Sequence, residues 1–288
     1  MITHIKDPNS DKYIVFIHGL GGSKKTFKRF SEYLSENWKL DFGFMTLFFS
    51  YYKELFENKV ISFLFPIFPS FIIKSVWSKR NDYNADRLDK YIDNECKNCS
   101  NIIIVAHSMG GLVARQYLVN CRKSQKDIRK IKMLITYGTP HKGSHIASLL
   151  SINNIPVLRN IYNLISTRFN YRISPQIGDL AELNHFIVKL NEEWRDYDLE
   201  RKLLFIRVIG TTDKLVRAES GHLHAEDIEN IHRFEYGHSK LIKPSDRVTK
   251  FPPIDLFIDK ISSLKYEEEY FEELEEEINY DETETENF

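Results

Sequence analysis

Apolar positions along this chain come in two kinds of run, and the two alternate. Short continuous stretches occur at Tyr13-Ile-Val-Phe-Ile17, Phe44–Tyr51, Asn101-Ile-Ile-Ile-Val-Ala106, Ile131–Tyr137, Leu203–Ile209 and Ile231–Tyr236. Runs of this length, rich in β-branched and aromatic residues, read as strands buried on both faces, the habit of parallel sheets. Between them the apolar residues recur every three or four positions. Phe27, Phe30, Tyr33 and Leu34 form one such set, with Ser23 placed to cap the helix. Residues 86–95 (Leu88, Tyr91, Ile92), Leu112–Val119, 179–194 (Leu180, Leu183, Ile187, Leu190, Trp194) and a closing set (Ile254, Phe257, Ile258, Ile261) supply the others. At most one strand, Ile2–Ile5, precedes Tyr13. Strands alternating with helices predict an α/β fold, a mostly parallel sheet flanked by helices. No internal repeat is present.

Two stretches break the alternation, residues 55–80 and 145–178. Both exceed an ordinary connection, whose median length is about 4–6 residues. Insertions of this kind in α/β enzymes usually cover the site, so both are expected to form a lid or cap. Residues 60–77 hold 12 large apolar side chains among 18, with Lys74 the sole charge. Pro66 and Pro69 interrupt any continuous helix there, which argues against a membrane span. Three roles stay open for the segment: a lid lining an acyl-chain pocket through Phe63, Phe65 and Phe68, a plain buried cap, or peripheral insertion into a membrane interface.

The chain's 288 residues, 42% hydrophobic and 28% charged, suffice for a large core without disulfides and exclude collagen-like or wholly disordered classes. A net charge of −1 conceals an asymmetry. Residues 267–288 carry 12 acidic side chains and no Lys or Arg, leaving the rest with an excess of 11 positive charges. The chain therefore reads as one domain over 1–266 followed by an acidic tail, either solvated or, through Phe271, Leu274 and Ile278 at helical spacing, docked on the basic body. The basic excess is spread along the chain, so no nucleic-acid partner is indicated. Three cysteines and no signal-peptide pattern at the N-terminus point to a reduced cytoplasmic setting, with membrane association as the variant that the 60–77 segment would bring. Cys96 and Cys99 have CxxC spacing but lack a second pair, and incidental thiols are the simpler reading.

Chemistry concentrates where strands end. Ala106-His-Ser-Met-Gly110 sits where a strand must turn sharply into a helix, which forces an unusual backbone at Ser108 and lifts its hydroxyl above the strand ends. Small residues two before and two after allow the strand and helix to approach; Gly110 meets this fully and Ala106 adds one methyl. The Met109 N–H then lies where an oxyanion would form, and His18-Gly-Leu-Gly-Gly22, after an earlier strand, brings Leu20 N–H as a second donor. A serine hydroxyl needs a histidine to take its proton and a carboxylate to orient that histidine. In this architecture the order is Ser, acid, His. Asp213 follows the strand Leu203–Ile209, and His238 follows the last strand through Gly237. His222 and His224 precede that strand and His232 lies in it. His107 and His141 come too early, Asp196 and Asp198 end a helix, and Asp246 comes after His238.

Phe16-Ile-His-Gly-Leu-Gly-Gly22, Ala106-His-Ser-Met-Gly-Gly111, Gly138-Thr-Pro-His-Lys-Gly-Ser144 and Gly237-His-Ser-Lys-Leu-Ile-Lys-Pro244 occur in order. Together they resemble the lipase-like α/β-hydrolases, and among these the DUF676 and PGAP1-like serine esterases, over roughly residues 13–262. The first two motifs are shared widely; the last two narrow the match. The resemblance implies the α/β-hydrolase fold with Ser108 as nucleophile, Asp213 as acid, His238 as base, and Leu20 and Met109 as oxyanion amides. It places Gly138–Ser144 beside the site without a chemical role. It implies a lipid or acyl-ester substrate hydrolysed without metal or cofactor. An acyl-protein or acyl thioesterase with the same residues, and a non-catalytic interaction module on the same scaffold, stay open. The short N-terminus departs from the pattern, and the 55–80 insertion leaves the substrate class undecided.

Overall fold

The computed structural model describes residues 3–5, 11–19, 22–23, 25–38, 42–47, 83–143, 180–221, 230–246 and 248–264. The insertions at 55–80 and 145–178, with Phe63, Phe65 and Phe68, lie outside the described residues. So do Leu20, His222, His224 and the acidic tail.

Strands β1 (Thr3–Ile5), β2 (Lys12–Ile17), β3 (Gly43–Leu47), β4 (Asn101–His107), β5 (Ile131–Tyr137), β6 (Leu204–Gly210) and β7 (Ile231–Phe234) form one sheet in the order β1-β3-β2-β4-β5-β6-β7. Only β1 runs antiparallel to its neighbour; every other pairing is parallel. Ile17 pairs with Ala106, and His107 with Tyr137, so the carboxyl ends of β2, β4 and β5 form one edge. Helices are α1 (Lys28–Asn37), α2 (83–95), α3 (Met109–Lys123), α4 (Leu180–Asp196) and α5 (252–264).

Each continuous apolar run splits between two cores because successive side chains point to opposite faces. Ile14, Phe16, Ile103, Val105 and Tyr137 pack with α1 (Phe30, Tyr33, Leu34) and α5 (Ile254, Phe257, Ile261). Val15, Ile17, Ile104 and Ala106 face α2 (Leu88, Ile92), α3 (Leu112, Val113, Tyr117) and α4 (Ile187, Leu190, Trp194). Helix α3 is buried on all sides from Met109 to Val119. It therefore lacks the polar face that surface helices show.

One expectation fails locally. Ser23 does not cap α1, whose N-cap position is Phe27 and carries no side-chain hydrogen bond. Ser23 and Thr26 instead close a preceding turn: Ser23 N–H donates to Thr26 Oγ1 at 2.8 Å, and Lys25 N–H to Ser23 Oγ at 3.2 Å. The helix start is set by tertiary burial of Phe27 and Phe30, not by a polar cap.

Phe30 is the hub of the first core. Its ring centroid lies 5.4 Å from Phe16, 6.0 Å from Phe27, 5.7 Å from Tyr137 and 5.5 Å from Phe257, each pair edge to face. Edge-to-face pairs add about 0.5–1.5 kcal/mol beyond area burial. Phe30→Ala should therefore cost about 3–5 kcal/mol in urea denaturation. Val188→Ala, on the exposed side of α4, should stay within about 0.5 kcal/mol.

Candidate active site

The turn from β4 into α3 holds Ser108 at φ 56°, ψ −129°, a positive φ at a residue with a side chain. Such a conformation costs about 1–3 kcal/mol and persists only when its surroundings over-determine it. They do so here. Ser108 N–H donates to Tyr137 C=O at 2.9 Å, and the Ser108 carbonyl accepts from Thr139 Oγ1 at 2.9 Å and Gly111 N–H at 3.1 Å. A Cβ on Gly110 would lie 2.4 Å from the Ile17 carbonyl oxygen, so the approach of helix to strand that the sequence required is a backbone contact. Ala106 is fully buried and its methyl is part of the second core.

Gly19, just after β2, lies directly against the serine. A Cβ on Gly19 would meet Ser108 Cβ at 2.5 Å and Ser108 Oγ at 3.0 Å. His18 Nδ1 is 2.7 Å from the Gly19 carbonyl, which can only accept, so Nδ1 carries the proton; Gly22 N–H donates to the same oxygen at 3.1 Å. Met109 is the first residue of α3, and its N–H is among those a helix leaves without an intrahelical acceptor. Leu20, the other expected donor, lies outside the described residues.

Asp213 and His238 come together. His238 Nδ1 lies 2.7 Å from Asp213 Oδ2. Asp213 Oδ1 accepts from Leu215 N–H at 2.8 Å and Val216 N–H at 2.9 Å, which locks the carboxylate after β6. An Nδ1–H donated to Asp213 leaves His238 Nε2 with its lone pair, able to take a proton. His238 opens the 3-10 turn His238–Ile242, closed by Lys240 N–H and Leu241 N–H on Gly237 C=O. Gly138 lies beside both partners: at φ 56° a Cβ there would sit 3.2 Å from Asp213 Oδ2 and 3.2 Å from His238 Nδ1. The next residue, Thr139, grips the Ser108 carbonyl, so the segment after β5 touches nucleophile, acid and base candidates in turn.

Other sequence candidates fall elsewhere. Asp196 ends α4, His232 lies in β7, and exposed Asp246 pairs with Arg29. His141 belongs to a buried support. Arg115, fully buried against the Trp194 ring at 4.8 Å, donates from Nη2 to Asn191 Oδ1 at 2.9 Å and points Nη1 at His141 Nδ1, 3.3 Å away. That leaves the His141 proton on Nε2, 3.0 Å from Thr136 Oγ1, while Asn191 Nδ2 donates to the His141 carbonyl at 3.0 Å. Burial pushes the Arg115 guanidinium down to about 9, so it still carries its charge at neutral pH. Sequence reasoning did not foresee this network, nor a contact between His107 and His238 (Nε2 to carbonyl oxygen, 3.0 Å); the helical spacing that brings Asn191 and Trp194 to one side of α4 was the available signal for the first.

Among the described residues no group of three or more His, Cys, Asp or Glu side chains converges as metal ligands would. Cys96, just after α2, is a free thiol that burial pushes well above its ordinary range, the inert condition. No described helix is long and apolar enough to cross a membrane.

Over residues 71–213 the chain matches the family described as the PGAP1-like alpha/beta domain. Among solved structures it is similar to a lipase-esterase related protein from Clostridium acetobutylicum ATCC 824, at 13% identity and a TM-score of 0.53, covering 91% of this chain and 98% of that one. It is also similar to MGS-MChE2, an α/β hydrolase enzyme from the metagenome of sediments of the Mar Chica lagoon, Morocco. There the identity is 14% and the TM-score 0.50, with 93% and 96% covered. At such identities the likeness is one of fold. No curated protein matches.

Three site histidines, His18, His107 and His141, have pKa values lowered below 6.5, each chiefly by burial. Well above pH 6.5 they are neutral folded and unfolded alike, and contribute no pH dependence; the dependence sets in as pH approaches 6.5. Below it the unfolded chain binds protons that the folded chain refuses, so stability falls as pH drops toward the folded values. The unfolding free energy from urea titration should therefore decline between pH 7 and pH 5.5, by up to about 1.4 kcal/mol per histidine per pH unit. His141→Gln should flatten the decline.

Proposed function

We propose that Ser108, His238 and Asp213 are nucleophile, base and acid of a serine carboxylic-ester hydrolase, on a chain that matches the PGAP1-like alpha/beta domain over residues 71–213 and has the α/β-hydrolase fold. The observation that carries the reading is the 2.7 Å contact of His238 Nδ1 with Asp213, beside a serine held at positive φ on a strand-to-helix turn. His238 Nε2 takes the Ser108 proton as Oγ attacks the ester carbonyl. The oxyanion is held by Met109 N–H and Leu20 N–H, donors that act on the charge of the tetrahedral intermediate. Collapse expels the alcohol, protonated by His238, and leaves an acyl-enzyme that water opens by the reverse proton path. None of these steps requires a metal or organic cofactor.

The substrate reading is a lipid or acyl ester. It rests on the apolar composition of residues 60–77, from which Phe63, Phe65 and Phe68 would wall an acyl chain or make a peripheral membrane contact. The lipase-esterase related neighbour from Clostridium acetobutylicum agrees with that class by name only.

Hydrolysis of short and long acyl p-nitrophenyl esters tests the chemistry. Ser108→Ala should lower kcat by about 10³-fold or more while the protein stays folded, and a fluorophosphonate should label the wild type alone. Retained turnover in Ser108→Ala would remove the serine-esterase reading. Replacing Phe63, Phe65 and Phe68 together by Ser should shift preference toward shorter chains; an unchanged chain-length profile in a folded variant would dispose of the lid.

A further inference from the structure

The residue before the serine also reaches the base. His107 is the last residue of β4 and is buried. Strand alternation turns it to the face of Ile103 and Val105, the core in which Leu241 and Ile242 of the His238–Ile242 turn are packed. Its Nε2 lies 3.0 Å from the His238 carbonyl oxygen, and the two imidazoles are 4.6 Å apart, inclined by 50°. A carbonyl only accepts, so the His107 proton sits on Nε2.

We propose that His107 is a positioning residue for His238: its Nε2–H holds the backbone of the base at a fixed distance from the adjoining Ser108. The kinetic consequence rests on the esterase reading above, whereas the contact does not. Asp213 constrains only rotation of the His238 ring. The His107 contact constrains where that ring is carried, and one peptide bond separates it from the nucleophile. The separation of nucleophile and base is thus set through β4 itself instead of through the length of the loop after β7. Burial keeps His107 uncharged, and the groups facing it, His238, Lys243 and His18, oppose a second charge there. The imidazolium that forms at His238 during turnover then meets a neutral neighbour.

His107→Leu keeps volume without a donor, and His107→Gln returns an amide N–H near the former Nε2. On p-nitrophenyl butyrate the Leu variant should lose about ten- to a hundredfold in kcat with KM little changed, and Gln should recover most of the loss. Fluorophosphonate labelling of Ser108 should slow in parallel, with melting temperatures recorded for both variants. Wild-type kcat in a folded Leu variant, or Gln no better than Leu, would overturn the proposal. Imidazole nitrogen NMR of the wild type gives an arm independent of activity: a neutral His107 protonated at Nε2 is expected, and a proton on Nδ1 would overturn the contact. If the wild type neither turns over esters nor labels at Ser108, the esterase reading falls while the NMR arm still decides the contact.

Discussion

The backbone of Ser108 is the constraint around which the rest of the molecule is arranged. A side-chain-bearing residue at positive φ is a local free-energy cost, about 1–3 kcal/mol. Every group that holds it there belongs to a different element. β5 supplies the Tyr137 carbonyl, the segment after β5 supplies the Thr139 hydroxyl, α3 supplies the Gly111 amide, and β2 supplies the backbone against which Gly110 rests. That set can converge only if β4 lies between β2 and β5 with their carboxyl ends level, which is the observed order and register. The parallel topology therefore places the serine and also makes its strained conformation affordable.

Outward from the serine, the buried carboxylate and histidines are each hydrogen-bonded. Asp213 accepts three hydrogen bonds, two of them from backbone amides. His18, His107 and His141 each give their N–H to a fixed oxygen and are disfavoured as cations by burial. In a low-dielectric site a nearby positive charge would oppose protonation of His238, the base proposed above. Of the three only His107 touches His238, and burial keeps that neighbour neutral, at the expense of stability in acid.

Much of this was legible in the sequence, for reasons that differ by residue. Strands buried on both faces leave continuous apolar runs, so β2, β4, β5 and β6 could be bounded to within a residue or so. The strand-to-helix turn at Ser108 was visible because it needs small residues at fixed offsets, and the pairing of Asp213 with His238 was approached through their positions after strands. The Ser23 cap misled because local polarity competes with tertiary burial, and Phe27 and Phe30 decided the start of α1. His107 and the Arg115–His141–Asn191 contacts were hidden for a different reason. They join residues 131, 26 and 50 positions apart, and no periodicity encodes a pairing of that range.

The two faces of the sheet do different work for one edge. On one face an aromatic core around Phe30 underlies Leu241 and Ile242, and so carries the turn that begins with His238. On the other face Arg115, held over Trp194, ties His141 and Asn191 together and so carries the segment that begins with Gly138 and Thr139. The first support is apolar and indifferent to exact angles; the second is polar and directional. That division suits what each must place. The His238 turn takes its fine position from two hydrogen bonds at the histidine itself, to Asp213 and from His107, and needs only a firm bed. Gly138 and Thr139 must lie within contact of Ser108, Asp213 and His238 together. For that a directional anchor is required, because a shift of a few tenths of an ångström there would reach all three.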